Sequence, residues 1–538
     1  MNSVKKSFII IFLGIALYSF SLFNGFVWDD EVMFNTQLTA SQAYFRPIMT
    51  VINGTIVTLF GARPFFFHLP SVVFHIATAV LLFYLFKRFF KESIAFFLSL
   101  IFLVHPASVE AVCFASALQE ILFTFTGVLS LYLFVREKNI SLATIFGAII
   151  LSIMALLMKE TGIVFFVLIF CYLLLFHRKN TSTVQLYVAF AIIALFTYGM
   201  ARFSSGNNYV QGQGLFPIMR VPPHIRLINI PMIIVYYIGT FLFPFNLGIA
   251  QHWVIQTMDF WHFWVPLCID MGFVLLGIYM AWRLRSCVTP AEAGVQPNYR
   301  LDSRLLTRGQ SPFGRRGNDF PFFLLWFLIG LLPHLQLIPL NMTVAERWMY
   351  FPMIGLLGMI GTMLSKLQII NHKSQINFKS QIKSKTIFIF IISLFFVRSF
   401  TRALDWRNGL SLYGSTITRT SSFDMQNNMG VELFRVGKYK EAKKYFEIST
   451  HLAPYWWVNW NNLGAAYERE QNFSKAQECY ERAIHNGQYV LAYENLAKIL
   501  VLHGKDKQKA EAFLKKALEI FPDDTNLRQI NGYSETER

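Results

Sequence analysis

Three acidic residues in a row, Asp29, Asp30 and Glu31, follow Trp28 directly after an apolar N-terminal run. Carboxylates beside hydrocarbon are expensive, so their pKa values are expected to rise unless a cation, a metal or a substrate holds them. A solvated helix end that obeys the inside-positive charge bias is the plainer account of the same run. Further charged residues fall at helix ends predicted for the same face: Arg46 in Tyr44-Phe45-Arg46-Pro47, Glu110 after His105-Pro106, Glu120, Lys159-Glu160 before Thr161-Gly162, and Glu346-Arg347 before Trp348. An ionised Lys or Arg there runs against the positive-inside trend and needs a reason. Lys159 and Glu160 could simply pair with each other; converging on one outer-face pocket, these groups would instead bind a phosphate and a polar acceptor. His105 could orient a carboxylate or bind phosphate, although a His before Pro is as often structural. His252, Trp253 and Trp261 suit an interfacial aromatic belt better than a sugar platform. The stretch from Arg202 to Arg226 reads as an outer loop, either ordering over substrate or a plain linker.

The elements that must position these residues are read from composition. Of 538 residues, 54% are hydrophobic and 15% charged, against about 25% charged in an average globular chain. A purely soluble protein is thereby excluded, and ordinary Gly and Pro counts of 31 and 19 exclude collagen-like or low-complexity material. The net charge of +17 is not a nucleic-acid signature. Residues 401–538 hold 19 Lys and Arg against 17 Asp and Glu, so the excess lies among the apolar runs of residues 1–400, with 29 against 14. Inside-positive topology explains it.

Apolar stretches long enough to cross about 30 Å of hydrocarbon begin near Phe8, His68, Ser93, Ala117, Ile140, Gly162, Thr183, Ile225, Phe263, Phe320, Trp348 and Thr386. The basic clusters Lys5-Lys6, Lys87-Arg88-Lys91, Arg136-Lys138, His177-Arg178-Lys179, Arg283-Arg285 and Lys366 to Lys385 are expected on the cytoplasmic side. All stay there only if residues 225–245, with Pro231 and Pro244, dip in and return or lie half-buried in the bundle. The expectation is therefore an all-α polytopic bundle of about eleven crossings plus one re-entrant helix. Residues 24–66, 105–116, 158–161, 201–262, 339–347 and everything after about Phe400 then face outward.

The N-terminal run lacks a small-x-small cleavage site and reads as an uncleaved first span. Five scattered cysteines support neither a disulfide framework nor a structural zinc site. Residues 283–319 resemble a translated bacterial palindromic element inserted in a cytoplasmic loop. Residues 424–524 repeat with a period of 34: Asn427, Asn461 and Asn495; Ala442, Ala476 and Ala510; Phe446, Tyr480 and Leu514. With Trp460, Leu463, Gly464 and Tyr467 in the middle unit, this is the tetratricopeptide pattern, about three repeats in an α-solenoid. The chain divides into a membrane domain at 1–400, a linker at 401–423, the repeats at 424–524 and a tail at 525–538.

Seven short motifs occur in order: Phe26-Val27-Trp28-Asp29-Asp30, Phe45-Arg46-Pro47, the His68 to Leu81 segment with His75, Val104-His105-Pro106 with Glu110-Ala111-Val112, Lys159-Glu160-x-Gly162, Leu242-Phe243-Pro244-x-Asn246-Leu247, and Glu346-Arg347-x-x-Tyr350-x-Pro352. Together with the repeat tail they resemble the transmembrane and tetratricopeptide-repeat-containing O-mannosyltransferases and their bacterial relatives. The resemblance covers nearly the whole chain and departs in the insert and in the small number of repeats. It implies a multi-span glycosyltransferase of the C type, with a polyprenyl-phosphate-linked sugar as donor and a protein or glycan acceptor presented by the repeats. Asp29 or Asp30 would be the catalytic base. Arg347, Arg46 and Lys159 would meet the lipid phosphate, with Glu31, His105, Glu110, Glu160 and Glu346 as further substrate-binding candidates. Adjacent carboxylates permit a divalent metal, but no ligand set is complete. The expected setting is a bacterial inner membrane with site and repeats facing the periplasm. An oligosaccharide ligase of the O-antigen type and a non-enzymatic membrane scaffold are the alternatives.

Overall fold

The computed structural model describes residues 2–35, 45–137, 139–206, 215–286, 317–373, 378–504 and 506–536. Most of the insert expected at 283–319 lies outside them. The described residues are helical apart from turns, loops and one isolated antiparallel bridge between Gln251 and Val344. They form two compact units, Met1–Asn408 and Gly409–Arg538.

In the first unit each predicted apolar stretch is a helix: Ser3–Phe23, Pro64–Phe86, Glu92–Val104, Ala115–Arg136, Leu142–Met158, Glu160–Phe176, Thr181–Ser204, Pro223–Leu242, Phe260–Arg283, Asp319–His334, Pro352–Lys373 and Thr386–Asp405. Among the described residues, seven helices are long and apolar enough to cross a membrane, or eight if Glu92–Val104 is joined to Pro106–Cys113. Their outward surfaces are apolar. Phe8 and Phe12 on the first, Ile192, Ile193 and Phe196 on Thr181–Ser204, and Ile387, Ile389 and Phe390 on the last are exposed. Such faces on helices of this length belong against lipid, and they support a multi-pass membrane protein.

Three departures from a simple bundle shape the site. The pair Glu92–Val104 and Pro106–Cys113 is bent by 52°, because proline disfavours the helical conformation at His105, which is extended. The loop expected at 24–66 contains two helices, Asp29–Asn35 and Pro47–Phe60. The second has 14 residues, about 21 Å at 1.5 Å per residue, too short to span hydrocarbon. Finally, Pro223–Leu242 is a continuous helix despite Pro231; Asn229 Nδ2 donates to the carbonyl of Ile225 at 2.7 Å and to that of Ile255 at 2.9 Å. Both of its ends bond to other segments of the bundle. Arg226 Nε donates to the Gln336 carbonyl at 3.1 Å, and the Phe241 carbonyl lies 3.0 Å from His105 Nε2.

The second unit holds three helix pairs, Phe423–Arg435 with Tyr439–Leu452, Trp457–Arg469 with Phe473–Asn486, and Val490–His503 with Lys507–Ile520, flanked by Gly409–Ile417 and Thr525–Thr536. Ala442, Ala476 and Ala510 are buried where paired helices cross. A Cβ on Gly430 would lie 2.5 Å from Phe446, and one on Gly464 would lie 2.5 Å from Tyr480. The third repeat has Lys498 and Leu514 at the corresponding positions: without an aromatic ring in the gap, the glycine is not required.

Candidate active site

Arg347 is the centre of the charged cluster. It lies in the short turn Glu346–Met349, and its guanidinium pairs with Glu110, whose other oxygen accepts the Arg347 backbone N–H at 3.0 Å. The guanidinium carbon is 5.4 Å from the Trp28 ring centroid, 5.6 Å from that of Phe114 and 5.8 Å from that of Trp348, within cation–π range. Trp28 stacks on Phe114 at 5.2 Å and has φ 56°, a left-handed conformation that costs a bulky residue energy and persists only where packing enforces it. Asp29, the next residue, is exposed, and its charge interacts with Arg347.

Two further cations join this group. Lys159, nearly buried, pairs with Glu120, and its Nζ lies 5.4 Å from the Phe123 centroid. Arg46 donates to Glu160 Oε2 from Nε at 3.0 Å and from Nη2 at 2.8 Å. Lys159 interacts electrostatically with both Arg46 and Arg347, so the three cations stand together. Lys159 and Glu160 therefore do not pair with each other; each reaches a partner on another helix. Gly162 lets the chain turn there, since a Cβ on it would lie 2.5 Å from the Ala155 backbone.

Asp30 and Asp29 are neighbours with different surroundings. Asp30 is fully buried at the start of Ala115–Arg136, where its carboxylate accepts from the Ser116 N–H at 2.7 Å, the Ala115 N–H at 3.3 Å and the Ser116 hydroxyl. A carboxylate capping a helix N-terminus is stabilised by the free N–H groups and the dipole. Burial nevertheless pushes the Asp30 carboxyl up to about 7, against the pull of the Ser116 bonds and with help from the Asp29 charge. Both Asp30 oxygens are thus occupied. Among the described residues no group of three or more His, Cys, Asp or Glu is placed to hold a metal ion.

Glu346, also fully buried, pairs at 3.0 Å with Arg402, which bonds Asp405 at 3.0 Å as well. Burial raises the Glu346 carboxyl to about 7 and the Arg402 charge opposes the rise. The pair ties the turn bearing Arg347 to the last long helix. His105 has both nitrogens engaged at the helix bend, by the Phe241 carbonyl and by the Ala107 N–H at 3.2 Å, and stacks on Phe241; its bonds are those of a structural residue. Glu31 lies in the same short helix as Asp29 and Asp30. Sequence reasoning missed Arg402 and His334. Arg402 carried a signal in being an arginine near the end of the last apolar run. His334 follows Pro333 at a helix end, much as His105 precedes Pro106.

Known proteins resemble both parts of the chain. Residues 46–199 match the family model described as dolichyl-phosphate-mannose-protein mannosyltransferase, and residues 457–486 and 490–524 match tetratricopeptide repeat models. The human protein O-mannosyl-transferase TMTC3 is 23% identical over 97% of this chain and 61% of its own length. The Caenorhabditis elegans protein O-mannosyl-transferase F38B6.6 is 23% identical over 84% of this chain and 63% of its own. The chain thus spans about three fifths of the length of these relatives. The bovine BBSome complex member BBS4 is 37% identical over 100 residues, 19% of each chain. Joining a mannosyltransferase-type segment to repeats, the chain matches the transmembrane and tetratricopeptide-repeat-containing O-mannosyltransferase-like family.

Proposed function

We propose that the protein is a membrane glycosyltransferase that transfers a sugar from a polyprenyl-phosphate donor, with inversion, to a hydroxyl of a protein or glycan acceptor on the outer face, the repeats presenting the acceptor. The observation that carries this reading is the grouping of Arg46, Lys159 and Arg347 beside the exposed Asp29. In the transfer step the acceptor oxygen attacks the anomeric carbon, the bond from that carbon to the phosphate oxygen breaks, and the hydroxyl proton goes to a carboxylate. Asp29 takes that proton. The three cations meet the charge that grows on the departing lipid phosphate. In the absence of donor, Glu110, Glu120 and Glu160 balance those cations. Asp30 and the Glu346–Arg402 pair are positioning residues: one fixes the start of the Asp29 helix against Ala115 and Ser116, the other fixes the Arg347 turn.

The two ends of Pro223–Leu242, bonded to Gln336 and His105, favour a helix that stays in the outer half of the bundle. With eleven crossings the basic clusters remain cytoplasmic and the site and repeats face outward, in a bacterial inner membrane if the insert reflects its genome. The test is transfer by the full chain in membranes, using polyprenyl-phosphate sugars and extracytoplasmic proteins as acceptors. The matched family description and the relatives' names make mannose the first sugar to try. Acceptor-dependent release of polyprenyl phosphate supports the reading. Transfer only from diphosphate-linked oligosaccharides would make the protein a ligase, and the absence of turnover with every donor would favour a scaffold.

A further inference from the structure

We propose that His334 is a phosphate-binding residue of this site, its Nδ1–H donating to a non-bridging oxygen of the lipid phosphate held by Lys159 and Arg347. The inference rests on the glycosyltransferase reading above. His334 closes the turn Leu332–His334 that ends Asp319–Leu331 and is 5% exposed. Its ring stacks on Trp348 with centroids 4.9 Å apart and planes 10° from parallel. It interacts electrostatically with both Lys159 and Arg347. Its Nδ1 is buried with no hydrogen-bond partner.

That unmet nitrogen is the informative feature, because buried polar groups are nearly always bonded and a lone one calls for an explanation. Of the other buried histidines of the unit, His68 also leaves its nitrogens without a hydrogen bond, but its surroundings are the Asn24 and Gly25 backbone rather than cations, and two obey the rule. His75 lies 2.8 Å from the Tyr350 hydroxyl and 3.1 Å from the Leu103 carbonyl, and His105 bonds through both nitrogens at its helix bend. His334 instead carries its unmet nitrogen within electrostatic reach of two cations that stand together. A neutral N–H donor there adds a hydrogen bond for a phosphate oxygen without adding a further charge. Trp348 fixes the ring plane, and it directly follows Arg347, so one short turn sets both groups. A polar residue waiting for an anionic ligand accounts for the arrangement.

The test is binding of polyprenyl monophosphate to the full chain in nanodiscs, with polyprenol lacking the phosphate as a control and inorganic phosphate as a competitor. His334→Phe keeps an aromatic ring against Trp348 and removes the donor; it is expected to weaken polyprenyl monophosphate binding roughly tenfold or more, the size of a hydrogen bond to a charged group. His334→Asn carries its amide nitrogen on Cγ, where Nδ1 sits, and is expected to stay within about threefold of the parent. Polyprenol binding should be the same in all three proteins. Unchanged monophosphate binding in His334→Phe, or a parallel loss of polyprenol binding, overturns the assignment. Competition by inorganic phosphate as potent as that of the lipid also overturns it, in favour of a free-phosphate site. Failure of the parent protein itself to bind polyprenyl monophosphate would remove the donor reading, and the assignment with it.

Discussion

In the repeat unit Lys498 and Glu468 pair at 3.0 Å with the lysine side chain 52% exposed, whereas in the membrane unit Arg402 and Glu346 pair at the same 3.0 Å with both side chains wholly buried. Equal geometry carries unequal energy. Water screens the exposed pair, which is worth about 0–1 kcal/mol. The buried pair has given up its hydration, so losing one partner strands a charge in a low-dielectric interior at a cost of about 3–5 kcal/mol. The repeats therefore use charge as a soluble coat over a core of small and aromatic residues. The membrane unit uses it sparingly, and at the candidate site it pairs Arg347, Lys159 and Arg46 with Glu110, Glu120 and Glu160 away from bulk water.

The contrast can be broken most forcefully at Glu346. Glu346→Ala is expected to destabilise the membrane unit by about 3–5 kcal/mol, read as loss of folded protein or a lowered melting temperature in detergent; a change under 1 kcal/mol would mean that Asp405 or water suffices for the Arg402 charge. The next effect depends on pH. Asp30 keeps its proton up to about pH 7 in the folded state and loses it near 3.8 when exposed. Between those values the folded chain binds more protons than the unfolded one, so the Asp30 contribution to stability falls as pH rises and levels off above about 7. Melting temperatures from pH 4 to 8 should therefore decline more steeply in the parent than in Asp30→Asn, and equal slopes would contradict this.

In the repeats the sensitive positions are packed rather than charged. Gly464→Ala sets a methyl against Tyr480 and is expected to cost about 1–3 kcal/mol, as overpacked cores do. The double variant Gly464→Ala with Tyr480→Leu, which imitates the third repeat, should recover part of the loss. Urea unfolding of the two variants decides this, and an additive double variant would separate the glycine from the ring. The smallest effect belongs to Lys498→Ala, less than about 1 kcal/mol in the same measurement.

The same contrast explains what could be read from sequence. In the repeats each partner returns after a fixed interval, so Gly430 with Phe446 and Gly464 with Tyr480 are visible as a period of 34. The long apolar helices were legible for a similar reason, since length and hydropathy are local. Pro47–Phe60 was not, being apolar but shorter than a span. At the site Arg46, Lys159 and Arg347 stood out because they sit against the charge bias, yet which acid each would pair with did not. Arg347 pairs with a residue 237 positions away and Lys159 with one 39 away, and no local periodicity encodes either. The different surroundings of Asp29 and Asp30 depend on where Ala115 and Ser116 arrive, which the run of acids does not contain.

The central claim, that Asp29 accepts the acceptor proton beside a cationic phosphate site, is tested most directly by transfer in Asp29→Asn. The full chain is assayed with the polyprenyl-phosphate sugar that the parent uses, alongside polyprenyl monophosphate binding as a check that the site is intact. A fall of about 10²- to 10⁴-fold in turnover, with binding within about threefold of the parent, is the predicted result. Undiminished turnover in Asp29→Asn would contradict the account and move the base to another carboxylate of the cluster.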